Sequence, residues 1–139
     1  MVISSLRNQD VSSLADQLFL QRLQSRDSVV RAHEAAHIAA GGGAITSGAQ
    51  YSYQRGPDGR EYAVGGEVGI DLSPVARNPQ ATIAKMEIVR AAALAPAEPS
   101  GPDLAIAAAA TQLEEKARAE AYTKSQETPD TTNVVDVRA

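Results

Sequence analysis

The sequence predicts an α+β domain made of a long helix, a β-hairpin and two further helices, and three observations carry that reading. Apolar residues recur at helical spacing ahead of a block of glycines at residues 41–43. Two stretches rich in aromatic and branched residues flank the turn sequence Gly56-Pro57-Asp58-Gly59. Two helix-start signatures, Asn78-Pro79 and Ser100 with Asp103 three residues on, each open a further apolar run.

The first helix is expected from Ser12 or Ser13 to near Ala40. Ser13 with Asp16 resembles a capping box, and Leu14, Leu18, Val29, Val30 and Ala36 follow at helical spacings. A break around Ser25 to Ser28 would make it a pair of helices. The glycines at 41–43 stop it, since glycine readily takes the left-handed conformation a helix C-terminus often needs.

The hairpin arms are read at residues 50–54 and 61–72. In the second arm a period of two places Tyr62, Val64, Val68, Ile70 and Leu72 on an apolar face. Ala63, Gly65, Glu67, Gly69 and Asp71 take the opposite face, which offers two carboxylates among small residues. Asn78-Pro79 then supplies an N-cap and first turn for a helix through Ile83, Met86, Val89 and Leu94, ended by Pro96. Ser100 caps a last helix, Ala-rich and then charged through Glu114, Glu115, Lys116 and Arg118. Order is expected to fail after Tyr122, which gives a single domain over residues 1–122 and a disordered or loosely held tail over 123–139.

At 139 residues one domain is expected, large enough to fold without a disulfide staple. The absence of cysteine excludes thiolate metal clusters, Cys nucleophiles and redox switching, so any metal is held by His and carboxylates. A net charge of −4, with scattered basic residues, gives no footprint for nucleic acid. No signal-peptide h-region and no apolar run near the roughly 20 residues of a membrane span is present. The default expectation is a cytoplasmic protein with no membrane partner, although an unconventional secretion route would leave no readable trace.

The sharpest chemical feature is His33-Glu34-Ala35-Ala36-His37, an HExxH sequence within the predicted first helix. Residues four apart lie on one face of a helix, so both imidazoles can converge on one metal ion. Glu34 projects beside them, placed to take a proton from a water rather than to ligate. These are the only two histidines in the chain, and the alanines between them leave room for another element to approach. The bland alternative is that a His pair at this spacing is ordinary polar surface, as short motifs recur by accident.

A catalytic zinc site needs a third protein ligand, which here must be a carboxylate. Glu67 stands first, because an acid in the glycine-rich strand Gly65-Gly66-Glu67-Val68-Gly69 is costly to desolvate unless something pairs with it. Glu87 stands second, although Lys85 and Arg90 around it suit a solvated helical face. Asp71 is third, and capping the following turn is its ordinary alternative. Tyr51, Tyr53 and Tyr62 are polar-tipped residues near the expected site that could donate to a developing oxyanion, but hairpin tyrosines more often pack across strands. The strand from Tyr62 to Leu72 also offers an edge for an extended peptide.

Three ordered motifs now stand together: Val30-Arg31-Ala32-His33-Glu34-Ala35-Ala36-His37, the hairpin from Tyr51 to Arg60 continuing into Tyr62-Ala63-Val64-Gly65-Gly66-Glu67-Val68, and Ala92-Ala93-Leu94-Ala95-Pro96-Ala97-Glu98-Pro99-Ser100. Over roughly Ser25 to Ala119 the chain resembles the SprA-related family of bacterial HExxH zinc metallopeptidases. The resemblance implies His33 and His37 as metal ligands and Glu34 as catalytic base. Its Gly-Gly-Glu motif adds weight to Glu67.

The expectation is a minimal zincin-like domain holding Zn2+ between helix and hairpin through His33, His37 and Glu67, with Glu34 as general base and a peptide or protein as substrate. The competing expectation is a non-catalytic metal-binding or interaction module. A catalytic site keeps a coordination position open, whereas a structural site is closed by four protein ligands.

Overall fold

No glycine or proline interrupts residues 2–40, and they form one continuous helix, α1 (Val2–Gly41). The computed structural model describes the backbone of residues 2–138 and the side chains of residues 13–127. α1 therefore starts well before the Ser13 capping signature and passes through Ser25 to Ser28 unbroken, because none of the intervening residues is a strong helix breaker. A 3-10 turn (Gly42–Ala44) follows, with Gly42 at φ 48°. After it come β1 (Ile45–Arg55), β2 (Glu61–Ile70), α2 (Pro79–Ala93) and α3 (Gly101–Arg138). The architecture is thus α+β, three helices with one antiparallel two-stranded hairpin.

The hairpin turn closes through Gly56 N–H to the Arg60 carbonyl at 2.8 Å and Gly59 N–H to the Gly56 carbonyl at 3.0 Å. Gly59 sits at φ 80°, a conformation that only glycine adopts without strain. Asp58 accepts from the Arg60 N–H and from the Tyr62 hydroxyl, which commits Tyr62 to the turn.

The pairing register is irregular, and this decides which way β2 faces. Ser52 opposes Gly65 and Tyr53 opposes Ala63, so β2 carries an extra residue there. The bulge puts Ala63 and Gly66, three apart, on the same side, toward α1. Ala63 is fully buried and its N–H donates to Asp27 Oδ2 at 2.7 Å, while Gly66 lies against Glu34. From Gly66 onward the alternation resumes with Ile70 packed on the core and Glu67 exposed on the outer face opposite Gln50. The uninterrupted period of two expected for the second arm fails here, and two further register shifts, between Ile45 and Ser47 and between Ser47 and Gln50, put extra residues on β1.

α2 and α3 form an antiparallel pair beneath. Asn78 caps α2 by accepting from the Ala81 N–H at 3.0 Å, and Ser100 and Asp103 cap α3 reciprocally, at 2.9 and 3.2 Å. α2 buries Thr82, Met86, Val89 and Ala93, and α3 buries Asp103, Ala107, Ala110, Glu114 and Ala117, each at steps of three and four. Met86, Val89, Ala44 and Ala110 form the core, with Ile70, Leu72, Ile106 and Leu113 packed around it. α3 continues past Tyr122, and residues 122–127 are exposed throughout. The side chains of the rest of the expected tail, from 128, lie outside the described residues. Among the described residues no helix is long and apolar enough to cross a membrane.

Two predictions follow from this packing. Met86→Ala, at a fully buried position, should cost about 2–5 kcal/mol, read as a lowered midpoint in denaturant unfolding. Glu114, buried between Arg90 and Arg118, is held at about 2 by their hydrogen bonds instead of the ordinary 4.5. A carboxylate depressed in the folded state stabilises fully above its unfolded value and loses that contribution as the pH falls toward its folded value. Glu114→Gln should therefore lower Tm at neutral pH and flatten the decline of Tm between pH 4.5 and about 2. An unchanged slope over that window would contradict the assignment.

Candidate metal centre

α1 turns an unusual stripe inward. Leu23, Asp27, Val30, Glu34, His37 and Gly41, spaced by three and four, are buried or half-buried, with Leu20, His33 and Ala36 half-buried beside them, whereas Leu14, Leu18 and Val29 are exposed. The buried side is therefore polar toward its C-terminal end, and every polar group on it needs a partner.

His37 is 2% exposed. Its Nδ1 lies 2.8 Å from the carbonyl of Ala92, in the last turn of α2, and only Nδ1–H can satisfy that acceptor. In a neutral imidazole held this way the lone pair is on Nε2. That Nε2 lies 3.2 Å from Asp103 Oδ2 and 3.2 Å from His33 Nε2, and His33 Nε2 lies 3.0 Å from the same Asp103 oxygen. Three donor atoms on two helices thus form a nearly equilateral triangle.

Asp103 stays ionised. Burial pushes its carboxyl up, but the Ser100 N–H and hydroxyl and the two imidazoles outweigh that and leave it below the ordinary carboxylate range. His37 Nε2 therefore faces the Asp103 carboxylate oxygen directly, a contact that either a proton on the imidazole or a metal ion between the two atoms would join. A proton on His37 would serve that one pair, and a metal ion would serve all three contacts together. The chemistry of the donor set agrees, two imidazole nitrogens and one carboxylate oxygen. So does its size, since zinc bonds of 2.0–2.1 Å in tetrahedral geometry separate ligand atoms by about 3.3 Å. His33, His37 and Asp103 form a group that could hold a metal ion.

Glu34 lies beside the triangle, 3% exposed, with Oε2 lacking any hydrogen-bond partner. Burial raises its pKa; His33 and His37 oppose the rise, while Asp103 and Glu67 add to it. Gly66 of β2 covers its other side, and a Cβ at that position would lie 3.0 Å from Glu34 Cγ, Glu34 Oε1 and Tyr51 Cδ1.

The three acids expected as third ligand stand elsewhere. Glu67 is exposed on the outer face of the hairpin, because the bulge reverses its parity, and it is not part of the donor group. Asp71 accepts from Lys85 Nζ at 2.7 Å and from the Ser73 N–H at 2.9 Å, closing the turn before α2. Glu87 is exposed and faces Arg118 at 3.5 Å. Of the tyrosines, Tyr51 borders Gly66 and stacks under Arg31 at 4.9 Å, Tyr53 is exposed, and Tyr62 is tied to the turn. Asp103 was legible in the sequence as a cap but not as a member of the donor group. The signal that could have found it is that a capping carboxylate at a helix start keeps lone pairs free for a second partner.

A family model matches residues 4–137 of the chain. The chain belongs to the SprA-related family. No curated protein and no solved structure gives a significant match. In this SprA-related chain the triangle itself is therefore the guide to chemistry. Asp103→Asn should weaken zinc binding by tenfold or more, since even outer partners of metal ligands are worth about 10–100-fold. Glu67→Gln should leave it within about twofold, both read by competition with a chromophoric chelator. The reverse order would return the third-ligand role to Glu67.

Proposed function

We propose that this SprA-related chain is a zinc-dependent metallopeptidase with a minimal zincin-like centre, acting on a peptide or protein substrate. One observation carries the reading: His37 Nε2, His33 Nε2 and Asp103 Oδ2 converge within 3.0–3.2 Å of one another, with an unpartnered carboxylate oxygen of Glu34 beside them. His33, His37 and Asp103 would hold the metal. When bound, zinc supplies a Lewis acid that polarises a carbonyl and makes a water more acidic.

The chain's own groups do the rest. Ala92 fixes the His37 tautomer, and Ser100 holds Asp103 by donating to the oxygen that meets both histidines. Glu34, whose pKa burial raises, accepts the proton that the attacking water loses as its oxygen bonds to the peptide carbon. It then delivers that proton to the amine nitrogen as the C–N bond breaks. Its free oxygen is what a general base needs, and a purely structural role gives no account of leaving it unpaired.

Three protein donors among the described residues also suit a catalytic centre better than a closed structural one, which takes four. The test compares zinc-loaded wild type with Glu34→Gln on an unfolded protein substrate. The expected result is zinc retained in both and cleavage lowered by about 10²–10⁴-fold in the variant, the usual worth of a positioned base. Equal cleavage by both proteins, or none by the zinc-loaded wild type, would overturn the proposal and favour the non-catalytic module.

A further inference from the structure

The Gly65-Gly66 pair of β2 invites a backbone explanation, but neither residue has a positive φ, so the conformation does not require glycine at either position. Space distinguishes them. A Cβ on Gly65 would meet Ser52 at 3.8 and 3.9 Å, an ordinary contact. A Cβ on Gly66 would stand 3.0 Å from Glu34 Cγ, from Glu34 Oε1 and from Tyr51 Cδ1. On one side is the side chain of Glu34, which is 3% exposed. On the other is an aromatic ring pinned by Arg31, which is itself held by Asp27 at 2.9 Å.

We infer that Gly66 is a positioning residue for Glu34: the bare backbone of β2, backed by the Tyr51 ring, lies against Glu34 Cγ and Oε1 and fixes how the carboxylate sits beside the triangle. The β2 bulge is what delivers Gly66 to that wall, since it brings residues 63 and 66 to the same side of the hairpin. Asp27 and Arg26 then lock the strand's height above α1 through the Ala63 N–H at 2.7 Å and the Val64 carbonyl at 2.8 Å. With the hairpin held at that height, a methyl group at residue 66 makes Glu34 or the Tyr51 ring give by a few tenths of an ångström. The catalytic consequence rests on the hydrolytic reading above, while the contact itself does not.

The experiment is built to separate the two. Gly66→Ala and Gly65→Ala are compared in the full chain for zinc content, thermal stability and steady-state cleavage, and Gly66→Ala is also combined with Glu34→Asp, which shortens the side chain by one methylene. The expected result is a Gly66→Ala protein that keeps its zinc and its KM and loses kcat by tenfold to a hundredfold, with Gly65→Ala close to wild type. In the Gly66→Ala background, Glu34→Asp should recover Tm rather than lower it further, and should recover part of kcat. If wild type proves inactive, the hydrolytic reading fails and the stability cycle still decides the contact. Additive Tm effects of the two substitutions, or a Gly66→Ala protein indistinguishable from Gly65→Ala, would overturn the inference.

Discussion

A single carboxylate oxygen, Oδ2 of Asp103, joins the parts of this molecule that matter chemically. It accepts from the Ser100 N–H, so it starts α3, and it meets both histidines of α1, so it ties the last helix to the first. α2 contributes at the same place, because the Ala92 carbonyl at its C-terminal end sets which nitrogen of His37 is bare. Three helices therefore meet at one cluster of polar atoms. The hairpin closes the fourth side with backbone rather than side chain.

Burying so many polar groups in a small domain is costly unless each is satisfied. Most are: Asp27 by the hairpin, Thr82 by the turn before α2, Glu114 by two arginines. Among the described residues the exception is Glu34 Oε2, a buried carboxylate oxygen without a donor, beside the point where two imidazoles and the Asp103 carboxylate converge. An unsatisfied polar group in a fold that satisfies its others is expected at functional or strained sites. The alanine-rich faces of α2 and α3 complement this, since small side chains let the helices approach and leave the large polar groups to fill the remaining space.

Much of this was legible in the residues. The caps at Asn78 and Ser100, the turn at Gly56 to Gly59 and the placement of His33, Glu34 and His37 on one helix all follow from local chemistry that does not depend on the rest of the chain. Two points were not legible, for physical reasons. The alternation that put Glu67 on the helix side is broken by a one-residue bulge between Gly65 and Ala63, and nothing in the glycine-rich strand marks where the extra residue falls. The apolar spacing of Leu14, Leu18 and Val29 announced a helix but not its buried face, because burial is decided by partners in the hairpin and α2, and those partners select Asp27, Glu34 and His37.

The central claim is that two α1 imidazoles and the α3 cap residue share one metal ion. X-ray absorption spectroscopy at the zinc edge on the zinc-loaded wild-type chain tests it most directly. The account predicts a first coordination sphere with two imidazole nitrogens and carboxylate oxygen at about 2.0–2.2 Å, and loss of the oxygen contribution from the protein in Asp103→Asn. A spectrum of hydrated zinc without imidazole scattering, or one unaltered by Asp103→Asn, would contradict it.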